Sequence, residues 1–263
     1  MFKAEQLTRS FGGVYALRDV SMSVAEGELR GVIGPNGAGK STLFSLISGH
    51  LFPDRGTIAY RGQRIDGLSP HDRARLRISI VFQAARLFRG MTVLENVMVG
   101  AHVWSRHGFA EAALRLPRHR REEREIRRRA TDAIGRAGLG DWAAAKAESL
   151  PLGQQRSLQV ARALCGEPQL LLLDEPASGL RAGEREALAA LLAQLKADGL
   201  TMMLIEHDVG FVSGLADMVT VLDLGTVIAE GPPGQVSRDP AVIAAYIGAG
   251  PRTGKEQGHA TGH

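Results

Sequence analysis

The opening residues alternate apolar and polar positions with a period of two, as strands that bury one face do. "GELRGVIG" (Gly27–Gly34) then gives an apolar strand entering a glycine-rich turn, and Lys40 to Gly49 follows with helical spacing. "GTIAY" (Gly56–Tyr60) and "ISIVF" (Ile78–Phe82) read as further strands. From Thr92 to about Leu164 the pattern is almost wholly helical, with Pro117 and Pro151 as breaks. Strand and helix then alternate again: strand Gln169–Asp174, helix Gly183–Asp198, strand Met202–Glu206 and two short strands around Asp223–Gly225. The Gly183–Asp198 helix puts Leu188, Leu191, Leu192 and Leu195 on one face, carries acids in its first turn and stops at Gly199. The pattern predicts an α/β domain over 1–248. Its core lies over about 1–90 and 165–240, with a helical insertion over about 91–164 and no internal repeat.

Composition narrows this picture without changing it. The 263 residues, 44% hydrophobic and 23% charged, are those of a soluble globular domain. No apolar run approaches the roughly 20 residues of a membrane-spanning helix, and the start "MFKAEQLTRSF" lacks the apolar core of a signal peptide. The expectation is a chain that stays in the cytoplasm. Its single cysteine, Cys165, falls among Ala and Leu on a predicted helix and reads as a core residue. The net charge of +4 is unevenly spread, and "RLPRHRREEREIRRR" (Arg115–Arg129) holds much of the excess. That run suits either a patch for nucleic acid or anionic headgroups, or a solvated helix. The pairs Glu123–Arg127 and Glu125–Arg129, spaced i,i+4 in the favourable order, support the solvated helix. The tail, 249–263, is Gly-rich and polar and predicts disorder, and His259 and His263 within it give only a weak metal signal.

The chemistry begins at "GPNGAGKST". Gly34, Pro35, Asn36, Gly37, Ala38, Gly39, Lys40, Ser41 and Thr42 fit G-x-x-x-x-G-K-(S/T), after a strand and opening a helix, as a phosphate loop requires. Backbone N–H groups and the positive helix end surround phosphate oxygens, Lys40 reaches the terminal phosphates, and the Ser41 hydroxyl ligates Mg²⁺. "LLLLDEP" (Leu170–Pro176) is a buried strand whose carboxyl end lines the crevice. Asp174 there holds a water of the Mg²⁺ shell, and Glu175 orients and deprotonates the attacking water. An acid pair after a strand also suits a helix cap, and the upstream loop favours the metal reading. Gln83, in "IVFQ", offers an amide oxygen to Mg²⁺ or water. His207, in "LLIEHD", ends another strand, either as a structural histidine or as a contact to the γ-phosphate.

In this order the elements resemble the ATP-binding subunit of ABC transporters, over nearly the whole chain to about Gly248. The resemblance implies a P-loop NTPase core of ABC-ATPase type, with an inserted α-helical subdomain and an N-terminal antiparallel β portion. It implies ATP and Mg²⁺ as ligands and ATP hydrolysis as the activity. By the same resemblance Phe11, in "RSFGGVYAL", stacks on adenine. "RLFRGMTVLENVMVGAH" (Arg86–His102), the charged insertion, "LIEHD" and the ending "DPAVIAAYIG" are similar to the branch that powers importers of branched-chain amino acids, urea, amides or aromatic acids.

"SLPLGQQR" (Ser149–Arg156) stands where the family carries L-S-G-G-Q at a helix start, facing a γ-phosphate bound by the opposite subunit. Leu150, Gly153 and Gln154 match; Pro151 and Leu152 replace Ser and Gly. The lost hydroxyl is one hydrogen bond to a charged group, about 1.5–3 kcal/mol. The helix N-terminus remains, and Pro151 suits its first turn. Arg181 follows "SGL" (Ser178–Leu180) where the family has Asp or Asn, at its dimer seam. The implied partners are membrane permease subunits, contacted by the segment from Phe88 to Val97, and a second ATPase subunit, identical or paralogous. A periplasmic binding protein acts indirectly, and no nucleic acid is expected. The implied place is the cytoplasmic face of the plasma membrane, peripherally bound. The alternatives are an ABC ATPase for another cargo, such as lipid or lipopolysaccharide export, and a soluble non-transport ABC ATPase.

Overall fold

The computed structural model describes residues 1–84, 87–104 and 117–248. The tail with His259 and His263 lies outside them. Strands β1 (Phe2–Phe11) and β2 (Val14–Val24) form a hairpin, followed by β3 (Leu29–Ile33), helix α1 (Lys40–Ser48), β4 (Arg55–Tyr60), β5 (Gln63–Arg64), α2 (Pro70–Arg75) and β6 (Ile78–Val81). The insertion holds α3 (Val93–Met98), α4 (Pro117–Arg136) and α5 (Leu152–Cys165), with short 3₁₀ turns between them. The chain then returns through β7 (Leu170–Asp174), α6 (Ala182–Ala197), β8 (Thr201–Ile205), α7 (Val209–Ser213), β9 (Met218–Asp223) and β10 (Thr226–Gly231). It closes with α8 (Pro233–Val236) and α9 (Pro240–Gly248).

Two sheets result. One is antiparallel, ordered β2-β1-β4-β5; the other is ordered β10-β9-β3-β8-β7-β6 and is parallel except for its edge strand β10. Strand β7 shows why its sequence is a run of leucines. All four are fully buried, Leu170 and Leu172 facing the core under the antiparallel sheet and α1, Leu171 and Leu173 facing the core shared with α5 and α6. A strand covered on both faces has no polar side to show.

The insertion is built from local signals. Thr92 caps α3, its hydroxyl accepting from Glu95 N at 3.2 Å while the Glu95 carboxylate accepts from Thr92 N at 2.7 Å. Helix α4 buries Ala130, Ala133 and Ile134, with Ala137 just past its end, and leaves its charges in water. There the Glu125 carboxylate takes Arg128 at 2.7 Å and Arg129 at 2.9 Å, and these partners pull its pKa down to about 2. The basic run is a solvated, internally paired helix face where it is described.

Candidate functional site

The phosphate loop joins β3 to α1, and two of its glycines are fixed by space. Gly34 has φ 152° and a Cβ there would lie 2.1 Å from the Leu222 carbonyl; Gly39 has φ 102° and its Cβ would lie 2.4 Å from the Ala16 carbonyl. At Gly37 a Cβ would meet nothing, so the loop is open on that side. Helix α1 has no side-chain cap and no acid in its first turn, which leaves its leading N–H groups and positive end available to an anion. Lys40 is buried, and its Nζ donates to the Gly34 and Pro35 carbonyls at 2.7 and 2.9 Å. Burial pushes its pKa down, while the Glu175 and Asp174 charges push it back up. Ser41 is exposed at the start of the helix, with Thr42 half-buried beside it.

Asp174 and Glu175 stand at the carboxyl end of β7, as a ligand crevice in a parallel sheet requires. Burial raises the Asp174 pKa, the adjacent Glu175 charge adds to the rise, and Lys40 opposes it. Glu175 has φ 45°, left-handed for a non-glycine residue, which costs of order 1–3 kcal/mol. Its N–H bonds the Ile205 carbonyl at 3.0 Å and its carbonyl takes Ser178 N at 3.1 Å, which fixes the turn. Gln83 reaches it from the end of β6: Nε2 donates to Glu175 Oε2 at 2.6 Å. A carboxylate only accepts, so the amide nitrogen must face it, and the Gln83 oxygen is left for a cation or water.

His207 follows β8, exposed, with Nδ1 3.7 Å from the buried Glu206 carboxylate. Phe11 is 48% exposed near the hairpin tip, with the Arg9 guanidinium 5.0 Å from its ring centre. The same hairpin touches the phosphate loop at Ala16, which packs against Gly39.

The Leu150–Gln154 segment lies apart from this cluster. Among the described residues no hydrogen bond or ion pair joins it to the Gly34–Thr42 loop. Leu150 is buried; Pro151 and Leu152 are exposed at the start of α5. Pro151 is the N-cap, with φ −55° and ψ 157°, and not a residue of the first turn; Leu152 opens the helix. No side chain caps α5 from that position. Gly153 N–H instead donates to Glu184 Oε1 at 3.1 Å, while Glu184 Oε2 accepts from Arg181 N at 3.0 Å. One carboxylate thus serves the N-termini of both α5 and α6, and both bonds lower its pKa.

Two buried side chains that sequence reasoning passed over fasten α5 to the Gln83 loop. Arg156 donates to the Gln83 carbonyl and, at 3.2 Å, to the Ser178 carbonyl; Gln159 Nε2 donates to the Ala84 carbonyl at 2.9 Å. Arg156 closes the "SLPLGQQR" stretch, which was its only signal.

The family profile described as ABC transporter matches residues 17–178 of this chain. The chain belongs to the ABC transporter family, as an ATP-binding cassette and an ATPase. A profile described as branched-chain amino acid ATP-binding cassette transporter matches 226–251 of the cassette. The cassette is 40% identical over 243 residues to the high-affinity branched-chain amino acid transport ATP-binding protein LivG of Escherichia coli K12, covering 92% of this chain and 95% of LivG. A crystal structure of a nucleotide-free ATP-binding cassette from an ABC transporter superposes with TM-score 0.83 at 30% identity, covering 94% of this chain and 98% of that one. The cassette MJ0796, dimeric in a post-hydrolysis state bound to ADP and Pi, gives TM-score 0.73 at 28% identity, covering 89% and 99%. These likenesses support the α/β cassette fold with its antiparallel N-terminal portion. Among the described residues no helix is long and apolar enough to cross a membrane.

Proposed function

We propose that the cassette, as one ATPase domain over 1–248 with its helical insertion, powers an importer of branched-chain amino acids or related small polar, amide or aromatic solutes. The observation that carries this reading is the likeness to LivG across nearly the full length of both chains. ATP binds with its phosphates in the Gly34–Thr42 loop and on Lys40, and its adenine on Phe11. The Ser41 hydroxyl, the Gln83 amide oxygen and, through water, Asp174 form an all-oxygen donor set of the kind Mg²⁺ takes. When bound, that ion neutralises charge on the phosphates. Glu175 orients a water and takes its proton as the water oxygen bonds the γ-phosphorus; the bond to the β–γ bridging oxygen breaks and ADP leaves. His207 contacts the γ-phosphate. The positive N-terminal end of α5, over Leu150–Gln154, closes on a nucleotide held by a second cassette.

Binding in that split site stabilises the closed pair by mass action, and hydrolysis removes the stabilisation. Pro151→Ser restores a side-chain cap and one charged hydrogen bond. ATP-driven dimerisation, titrated in a Glu175→Gln background, is expected to need about tenfold less ATP, the lower end of that bond's range. An unchanged titration means that the backbone donors suffice.

A groove of about 360 Å³ between α2, β6 and the insertion is the proposed seat of the permease, with His50, Phe82, Phe88 and Arg162 among its lining. The Phe88–Val97 segment divides sharply here. Val93 and Val97 are core, whereas Phe88 and Met91 are 44% and 39% exposed. Asn96, fully buried, holds the Phe88 backbone on both sides, accepting from its N–H at 2.9 Å and donating to its carbonyl at 3.1 Å. The test is reconstitution with the permease and periplasmic binding protein. Leucine-loaded binding protein is expected to stimulate ATPase, and Phe88→Glu to remove the stimulation while basal ATPase persists. Stimulation by no branched-chain, amide or aromatic solute overturns the importer reading.

A further inference from the structure

Glu206 is a buried carboxylate beside the proposed site that has no part in the proposed hydrolysis. It ends the apolar run of β8, is 1% exposed, and has its pKa raised chiefly by that burial. Its Oε1 accepts from Ala177 N–H at 2.8 Å, in the turn that follows Glu175. Its Oε2 lies 3.7 Å from His207 Nδ1, the one ion-pair contact it makes among the described residues. Charges of Glu175 and Arg156 also face it, the first repelling and the second attracting. The His207 backbone N–H bonds the same carboxylate. Holding backbone N–H groups needs only a neutral acceptor, and burying a carboxylate for that alone costs several kcal/mol that an amide of the same shape avoids. The second oxygen gives the charge a use.

The geometry points to Glu206 as a positioning residue that ties His207 to the loop carrying Glu175. A carboxylate behind Nδ1 favours the ring proton on that nitrogen and orients the ring. Because the other oxygen holds Ala177, a shift of the imidazole toward phosphate is passed to the turn at Glu175–Ser178. That turn in turn bonds Arg156 on α5 through the Ser178 carbonyl. The γ-phosphate contact and the general base are thereby held as one unit. This inference rests on the proposed role of His207 at the γ-phosphate.

Glu206→Gln isolates the claim, since the amide oxygen still accepts from Ala177 N–H while the NH₂ replaces the acceptor facing His207. The full chain is expected to bind ATP unchanged and keep KM within about twofold while kcat falls about tenfold, less than the roughly 10²–10⁴-fold of a group that itself moves the proton. Nitrogen-15 histidine spectra, recorded well above the ordinary histidine pKa of about 6.5, are expected to show the His207 proton on Nδ1 in the parent and moved to the other nitrogen in the variant. The His207 signal is assigned by its loss in His207→Ala. An unchanged tautomer, or a kcat equal to the parent's, overturns the inference. If His207→Ala keeps full turnover, the γ-phosphate role of His207 fails instead, while the spectra still decide the Glu206 contact. Should Glu206→Gln fail to fold, Glu206→Asp withdraws the carboxylate by one methylene and is judged by the same two readouts.

Discussion

Lys40→Ala is expected to weaken nucleotide binding by roughly 30-fold to several thousand-fold while the cassette stays folded. The ammonium sits 6% exposed, within reach of two loop carbonyls and within the fields of Glu175 and Asp174. Removing one partner of a buried, hydrogen-bonded charge pair costs about 2–5 kcal/mol, or roughly 30-fold to several thousand-fold in affinity. The loss falls on binding because the phosphates bring the charge that Lys40 meets. Its absence also shifts Asp174. Burial and the Glu175 charge raise that carboxyl's pKa and Lys40 opposes them, so the variant's Asp174 moves further up and becomes a poorer cation ligand near neutral pH. The fold loses little, since α1 is held by Leu43, Phe44, Leu46 and Ile47, all buried. Titration calorimetry with ATP-Mg²⁺, beside a thermal melt, separates the two effects. Parent-like affinity contradicts the phosphate-loop assignment.

Much of this site was legible because its chemistry is written in short segments. The loop's glycines, Lys40 and Ser41 are contiguous, and the four leucines of β7 announce a strand buried on both faces whose end must carry the acids. What the sequence could not show depends on which distant backbone groups come within reach. Arg156 only closes the "SLPLGQQR" stretch in the sequence, yet its guanidinium lies on the carbonyls of Gln83, 73 residues away, and Ser178, 22 away. Glu184 reads correctly as a first-turn acid of α6; that its second oxygen serves Gly153, 31 residues off, is tertiary. Pro151 suits the first turn by its fixed φ near −65°, which suits the cap alike, and it stands at the cap. Between its breaks at Pro117 and Pro151 the insertion reads as helical throughout, but Gly138 at φ 69° ends α4 and a run of 3₁₀ turns leads to α5.

Glu175→Gln is expected to lower ATP hydrolysis by about 10²–10⁴-fold, the range for loss of a positioned general base, and to leave an ATP-held dimer. The substitution is nearly isosteric, and the turn it occupies is set by backbone bonds to Ile205 and Ser178 that an amide does not disturb. The amide oxygen can still accept from Gln83 Nε2, so the 2.6 Å contact survives. What changes is charge. Glu175 is the second-ranked cause of the raised Asp174 pKa, after burial, so its neutralisation brings Asp174 back toward the ordinary carboxylate range and strengthens it as an anion for Mg²⁺. With ATP placed as proposed, removing the Glu175 charge also lessens repulsion toward the γ-phosphate. Both effects favour retention of ATP, and without hydrolysis the mass-action stabilisation of the closed pair persists. Sedimentation of the variant with and without ATP-Mg²⁺ reads this directly. A shift from monomer to dimer means that the α5 N-terminus, Pro151 and Leu152 included, closes over a phosphate held by an identical chain. A monomer that binds ATP but never pairs means that closure needs a paralogous cassette or the membrane subunit.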